Sequence, residues 1–99
     1  MPAYVIAEIA VHDLEIYERY KPVAAASVVA HGGTYKVRGG SVDSLEGHPV
    51  AGRVVVLEFP SFEAAHNWYR SEDYGAALSL RHEAADSRVF IVEGVEPLA

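Results

Sequence analysis

Two ionisable side chains, His31 and Glu58, lie in segments whose surroundings act on their charged forms. His31 precedes two glycines at the end of a segment with helical periodicity, where the helix dipole favours an imidazolium ion. Glu58 lies within a run of valine, leucine and phenylalanine, so its carboxylate needs a cation or a hydrogen-bond donor. Both residue types can transfer protons, and we predict His31 and Glu58 as candidate catalytic residues. A capping role for His31 remains the structural alternative.

Two arginines lie in strand-like segments that neighbour the segment of Glu58. Arg38 and Arg88 could hold an anion or a carbonyl group beside Glu58, which would then act as an acid or a base. The same three residues could instead form a structural ion pair. Residue alternation alone leaves open which face of a sheet Glu58 occupies, and whether Glu8 shares that face.

Aromatic side chains are numerous in this chain, which has 6 tyrosines among 99 residues. A pocket for a small and partly apolar ligand could be lined by several of the aromatic side chains: Tyr17, Tyr20, Trp68, Tyr69 and Tyr74. Of these we predict that Tyr69 and Tyr74 line a substrate pocket together with the two arginines. Aromatic residues at helical spacing also form cores, and we interpret Trp68 and Phe62 in that way. Ser71 is interpreted as a helix cap, since no histidine and aspartate are predicted near it to activate its hydroxyl.

The histidines and glycines show no pattern of a metal or nucleotide site. The 5 histidines have neither HxxxH nor HExxH spacing, and the chain has no cysteine. The glycine pairs at 32–33 and 39–40 match neither the dinucleotide-binding motif nor the phosphate-binding loop. We therefore expect no metal and no cofactor.

The composition is typical of a single folded domain, which we assign to residues 1–99. Hydrophobic residues make up 51% of the chain, enough for a core in a domain of this size. The net charge of -6 opposes binding to nucleic acid. No apolar run approaches the roughly 20 residues of a membrane span, and the start lacks a signal-peptide pattern. We expect a cytoplasmic protein without a membrane partner.

The hydrophobic pattern predicts four strands separated by helical segments. Strands are predicted at residues 4–11, 34–38, 53–59 and 87–93. A helix capped by Asp13 is predicted to end at the glycines 32–33, with a kink or a break at Pro22. Ser61 caps a second helix that ends near Ser71, and residues 74–84 form a further helical segment. We expect a bulge at Gly39–Gly40, after which residues 42–46 continue the strand or turn back.

This order of elements fits a ferredoxin-like α+β sandwich of the type βαββαβ, an antiparallel sheet with helices on one face. The third strand places Val55, Leu57 and Phe59 on one side and Val54 and Val56 on the other. Helices on one side cannot cover both apolar faces, and a large exposed apolar face is unusual. We therefore predict a homodimer in which the sheet faces pack together.

Four short motifs follow one another along the chain: HGG at 31–33, VRGG at 37–40, EFPS at 58–61 and WYRS at 68–71. With this ordered set the chain resembles a bacterial domain-of-unknown-function family of the dimeric α+β barrel superfamily. The resemblance implies two ferredoxin-like subunits whose sheets pack into a barrel. It implies no established reaction, because the superfamily includes cofactor-independent monooxygenases, haem-degrading enzymes and stress-responsive proteins.

These observations together predict a function based on a small ligand. We expect the protein to bind a small carbonyl or phenolic metabolite in a pocket between sheet and helices, where cofactor-independent acid/base chemistry could follow. The alternatives are a non-catalytic ligand-binding or stress-response module and a purely structural dimer.

Overall fold

The computed structural model of the protein describes residues 1–96 and has the predicted ferredoxin-like architecture. The elements in chain order are β1 (Ala3–Val11), α1 (Leu14–Ala30), β2 (Thr34–Arg38), β3 (Arg53–Phe59), α2 (Phe62–Tyr69), α3 (Glu72–Ala84) and β4 (Ala85–Glu93). The strands form an antiparallel sheet in the order β2-β3-β1-β4. None of the helices within residues 1–96 is long and apolar enough to cross a lipid bilayer.

Each helix begins at a polar side chain that accepts a hydrogen bond from a free backbone N–H group. Asp13 accepts from the N–H of the third residue after it at 3.2 Å, and Ser61 does the same at 3.0 Å. Ser71 caps α3 by accepting from the Tyr74 N–H group at 3.2 Å. The predicted caps, including the interpretation of Ser71, are confirmed.

The structure corrects local predictions near residues that interrupt regular structure. Helix α1 runs without a break through Pro22, so the predicted alternative of two helical segments is wrong. Tyr20 and Ala24, on either side of the proline, are both packed in the core. The register of β2 against β3 shifts between Tyr35 and Val37, so the bulge lies at Lys36 rather than at the following glycines. Residues 42–46 form no strand and lie exposed in the connection to β3.

The helix-facing side of the sheet forms the core. In β1, burial alternates along the strand, and Val5, Ala7 and Ile9 are buried beneath the helices. Leu57 and Phe59 of β3 continue this buried layer. The alternation predicted for β3 is confirmed, since these side chains lie on the opposite side from Val56 and its neighbours.

The other side of the sheet, here called the open face, carries an apolar row that crosses all four strands. Val37, Val56, Ile6 and Phe90 are register partners from β2 to β4. Val37 and Phe90 are each 38% exposed. The protein therefore presents a continuous apolar band that its own helices leave uncovered, as the two-faced strand pattern predicts.

Candidate functional site

A cleft lies between the helix-facing side of the sheet and helices α1 and α3, and we call it the helix-side cleft. Its cavity volume is about 30 Å³, and all of the empty space between its walls, open solvent included, is about 520 Å³. The sheet supplies an apolar wall that includes Ala7, Val55 and Leu57. Polar atoms enter this wall from a small number of tyrosine, arginine and lysine side chains: Tyr17, Tyr20, Lys21, Tyr35, Arg38, Arg53, Tyr74 and Arg81.

The floor of the cleft is a hydrogen-bonded group of three buried side chains. The hydroxyl groups of Tyr20 and Tyr74 are 3.0 Å apart, and Arg81 Nε donates to the Tyr74 hydroxyl at 3.4 Å. Burial, reinforced by the neighbouring Tyr74, raises the pKa of Tyr20 far above its ordinary value. Tyr20 is therefore a neutral hydroxyl at physiological pH, able to donate a hydrogen bond or to accept one.

Arg81 is a permanent positive charge in this floor. Arg81 is only 3% exposed. Burial acts to lower the pKa of Arg81, but the neighbouring tyrosines, Tyr74 foremost with Tyr20 and Tyr69, together outweigh it, so the pKa is raised. An arginine in this setting stays protonated at physiological pH.

Trp68 holds the floor in place from behind. Its indole Nε1 donates to Ser27 Oγ at 3.0 Å, and that hydroxyl donates to the Ala24 carbonyl at 2.7 Å. The Trp68 ring lies 4.1 Å from the ring of Tyr74 and 5.4 Å from that of Phe59, measured between centroids. These contacts fix the Tyr74 ring between helix and sheet, and thereby the position of its hydroxyl.

Two arginine–tyrosine pairs also line the cleft, and of their four residues only Arg38 is exposed. The Arg53 guanidinium carbon is 5.5 Å from the centre of the Tyr17 ring, and that of Arg38 is 4.4 Å from the centre of the Tyr35 ring. Burial raises the pKa of both tyrosines, although the arginines act in the opposite direction. The phenol groups of Tyr17 and Tyr35 are therefore neutral at physiological pH.

Of the predicted site residues, Arg38 and Tyr74 line the helix-side cleft. Tyr69 lies beside Tyr74, with ring centroids 5.7 Å apart, but it faces a separate surface groove next to Phe62 and Val89. Tyr17 and Tyr20, which were considered for the pocket but not selected, also line the cleft. The polar cleft residues that the sequence analysis missed are Lys21, Tyr35, Arg53 and Arg81. A signal for Arg81 was present, since it follows Tyr74 by seven residues and so lies on the same face of α3.

His31 lies at the end of α1, outside the lining of the helix-side cleft. Its Nδ1 donates to the Ser27 carbonyl at 2.9 Å and is 3.5 Å from Asp73 Oδ2. A hydrogen bond from Ser71 is the main cause that lowers the pKa of Asp73, and His31 adds to it. The geometry matches a C-terminal capping residue, followed by Gly32 with a φ of 76°.

Glu58 and Arg88 both lie on the open face, but they do not pair with each other. Each has a different ionic partner. Lys36 Nζ is 3.6 Å from Glu58 Oε2, and Arg88 Nε is 3.7 Å from Glu8 Oε2. The predicted grouping of Glu58 with Arg38 and Arg88 is wrong. Glu8 does share the open face with Glu58, but each carboxylate lies beside its own cation.

The bulge in β2 explains why Arg38 is absent from the open face. In an unbroken register, Arg38 would be opposite Val54 and would point to the same side as Glu58. The extra residue at Lys36 reverses the alternation, so Val37 joins the open face and Arg38 is opposite Val55. The bulge thereby places Arg38 on the side of the sheet that lines the cleft.

Within residues 1–96, no three histidine, aspartate or glutamate side chains come together as metal ligands. The side chains of the helix-side cleft offer phenol groups that donate or accept hydrogen bonds and guanidinium groups that attract anions.

Comparisons with known proteins place the chain in a family and agree with the fold. The family described as Domain of unknown function (DUF1330) matches residues 2–95. No functionally curated protein matches the chain in sequence.

Solved structures with the same fold come from several bacteria. A protein of unknown function from Rhodopseudomonas palustris is 21% identical with a TM-score of 0.76, and the match covers 97% of this chain and 84% of that one. SnoaB from Streptomyces nogalater, described as a cofactor-independent oxygenase, is 13% identical with a TM-score of 0.69 over 98% and 96% of the two chains. A Bacteroides fragilis protein described as dimeric, with a ferredoxin-like fold, is 10% identical with a TM-score of 0.65 over 94% and 96%.

Proposed function

The chain belongs to the DUF1330 family of domains of unknown function, and we propose that it forms a homodimer through its open face and binds a small molecule in the helix-side cleft of each subunit. The two parts of the proposal use opposite sides of the sheet. Neither depends on a metal or a cofactor.

The observation that carries the binding proposal is the set of polar groups that converge on an apolar enclosed space. Protein cores are ordinarily filled and rarely contain an arginine without a carboxylate beside it. Here an unfilled space of about 30 Å³ is bordered by two phenol groups and a guanidinium group at its floor. An apolar cavity with a few fixed polar groups is the usual form of a small-molecule site.

The dimer proposal rests on the apolar row of the open face. A band that includes Val56 and Ile6 crosses the whole sheet, and polar pairs such as Glu58 with Lys36 flank it. An apolar centre with a charged rim is typical of a protein–protein interface. The structural relative from Bacteroides fragilis is described as dimeric, which is consistent with this use of the face.

Acid/base chemistry on the bound molecule is a second candidate, favoured by the hydrogen bond between the Tyr20 and Tyr74 hydroxyl groups at the floor. A carbonyl oxygen at this position could accept a hydrogen bond from a tyrosine. Because the pKa of Tyr20 is raised, that residue is suited to orient a ligand rather than to remove a proton from it. SnoaB, which has this fold, is described as a cofactor-independent oxygenase.

Filling the cleft should abolish ligand binding and leave the fold in place. Ala24 is 2% exposed and lines the cleft, so Ala24→Val adds two methyl groups where the ligand would lie. We expect small carbonyl, phenolic and carboxylic compounds that raise the melting temperature of the natural protein to bind this variant at least about tenfold more weakly. Thermal denaturation with increasing ligand concentration measures the change.

Ala26→Val is the matched control, because Ala26 is on the same helix but exposed. The two variants carry the same change in side-chain volume and in helix propensity. The control should respond to ligand as the natural protein does. Binding that is unchanged in Ala24→Val, or a natural protein that responds to no compound of the panel, would contradict the binding proposal.

A further inference from the structure

We propose that the ligand of the helix-side cleft is a small monocarboxylate, with the arginine cluster Arg38, Arg53 and Arg81 as its counter-charge and its apolar part against the sheet. This inference rests on the proposed function, because it assumes that the cleft binds a small molecule. It adds the charge and the chemical class of that molecule.

The charge of the cleft is opposite to that of the whole protein. The chain has a net charge of -6, yet the charged residues that line the cleft are Lys21, Arg38, Arg53 and Arg81. Lys21 is paired with Glu18 at 3.0 Å on the helix surface. None of the three arginines has a carboxylate within 4.0 Å among residues 1–96. The cleft thus concentrates positive charge that the protein itself does not neutralise.

Two of these arginines have buried donor atoms that are short of partners. Arg81 is 3% exposed, and its one hydrogen bond to a side chain goes to the Tyr74 hydroxyl group rather than to a carboxylate. Arg53 Nε is buried without a hydrogen-bond partner among the described residues. A buried cation without an anion is strongly unfavourable, and buried donors are nearly always satisfied. A bound anion would remove both deficits.

Arg53 and Arg81 act on the same part of the cleft. Burial raises the pKa of Tyr17, whereas the charges of both Arg53 and Arg81 act to lower it. Tyr17 therefore lies in the field of both guanidinium groups. An anion beside Tyr17 would interact with both cations, which a neutral ligand of the same shape would not do.

The walls of the cleft favour a carboxylate over other anions. A guanidinium group forms paired hydrogen bonds with the two oxygens of a planar carboxylate. The apolar wall of Ala7, Val55 and Leu57 suits a small apolar body with one charged end. A phosphate group is bulkier, carries more charge and would meet this wall without apolar contacts to compensate for its desolvation.

Matched pairs of acids and neutral amides test this inference directly. The probes are acetate, propionate, butyrate and benzoate, each compared with its own amide by calorimetric titration. Trp68 supplies a second readout, because it is the 1 tryptophan of the chain and its ring contacts Tyr74. We expect at least one carboxylate to bind about tenfold or more tightly than its amide, as charge-assisted hydrogen bonds require.

Arginine variants locate the effect in the cleft. Arg53→Gln should weaken carboxylate binding by about tenfold or more while leaving amide binding unchanged. Arg19→Gln is the control, because Arg19 is exposed on α1 outside the cleft and the variant loses the same charge. Arg81→Lys keeps the buried charge but loses the paired N–H donors of the guanidinium group. If Arg81→Lys does not fold, Arg38→Gln tests the exposed arginine of the cleft instead.

The outcomes separate this inference from the proposed function. Amides that bind as tightly as their acids would overturn the carboxylate inference and leave small-molecule binding intact. Tighter binding of inorganic phosphate than of any carboxylate would overturn it as well. Failure of every acid, amide and panel compound to bind would overturn both, and equal loss of affinity in Arg19→Gln and Arg53→Gln would remove the arginine cluster from the explanation.

Discussion

Replacing Val56 with aspartate should convert the protein from a dimer into a monomer. Val56 lies at the centre of the apolar row of the open face, between Val37 and Ile6. In a dimer packed face to face, each aspartate would be buried without a cation, and the symmetry would impose this cost twice. We expect the dissociation constant to rise at least about a thousandfold, which corresponds to about 4 kcal/mol. Analytical ultracentrifugation over a range of concentrations measures it.

Val29→Asp is the control for the dimer prediction. Val29 is 73% exposed on α1, and its replacement makes the same chemical change on the opposite side of the sheet. This variant should remain dimeric. Circular dichroism establishes that Val56→Asp is folded, and Phe90→Asp on the edge strand β4 provides a second test of the same face. A dimer that persists in both open-face variants would show that the subunits associate elsewhere.

Truncating Trp68 to alanine should cause the largest loss of stability in the monomer. The side chain is 3% exposed, stacks on Tyr74 and Phe59, and hydrogen-bonds to Ser27. Removing a buried tryptophan leaves a cavity and deprives the Ser27 hydroxyl of its donor, which together cost about 3–5 kcal/mol. In a domain of this size, the melting temperature should fall by roughly 15 °C or more. Far-ultraviolet circular dichroism during heating gives the value.

Phe62→Ala in the same helix is the comparison for Trp68→Ala. Phe62 is 41% exposed, so its removal should cost about 1 kcal/mol or less. Trp68→Ala should also weaken ligand binding, because the Tyr74 ring loses the surface that positions its hydroxyl. Similar melting temperatures for the two variants would mean that Trp68 does not anchor the floor of the cleft.

Much of the fold could be predicted from the sequence because it depends on local and periodic signals. The alternation of Val55, Leu57 and Phe59 with Val54 and Val56 indicates both the strand and its two apolar faces. The caps at Asp13 and Ser61 follow from side-chain chemistry within one turn. Such features require no knowledge of which distant segments meet.

The site could be predicted only in part because it depends on how segments pair. The position of Arg38 is set by the bulge at Lys36, which no local pattern revealed, and this moved the arginine away from Glu58. Arg53 and Arg81 are 28 positions apart in the sequence and come together only through the packing of α3 over the sheet. Whether a buried arginine lacks a carboxylate becomes visible only when all of its neighbours are known.

Native mass spectrometry of the gently purified protein tests the central claim, a ligand-binding cleft in each subunit of a dimer, most directly. One spectrum reports the number of subunits and any small molecule that remains bound. We expect a dimer that carries one small organic acid per subunit, or that takes up one per subunit when a binding carboxylate from the acid series is added. A monomer at micromolar concentration would contradict the dimer, and a dimer that stays bare under both conditions would contradict the carboxylate-binding cleft.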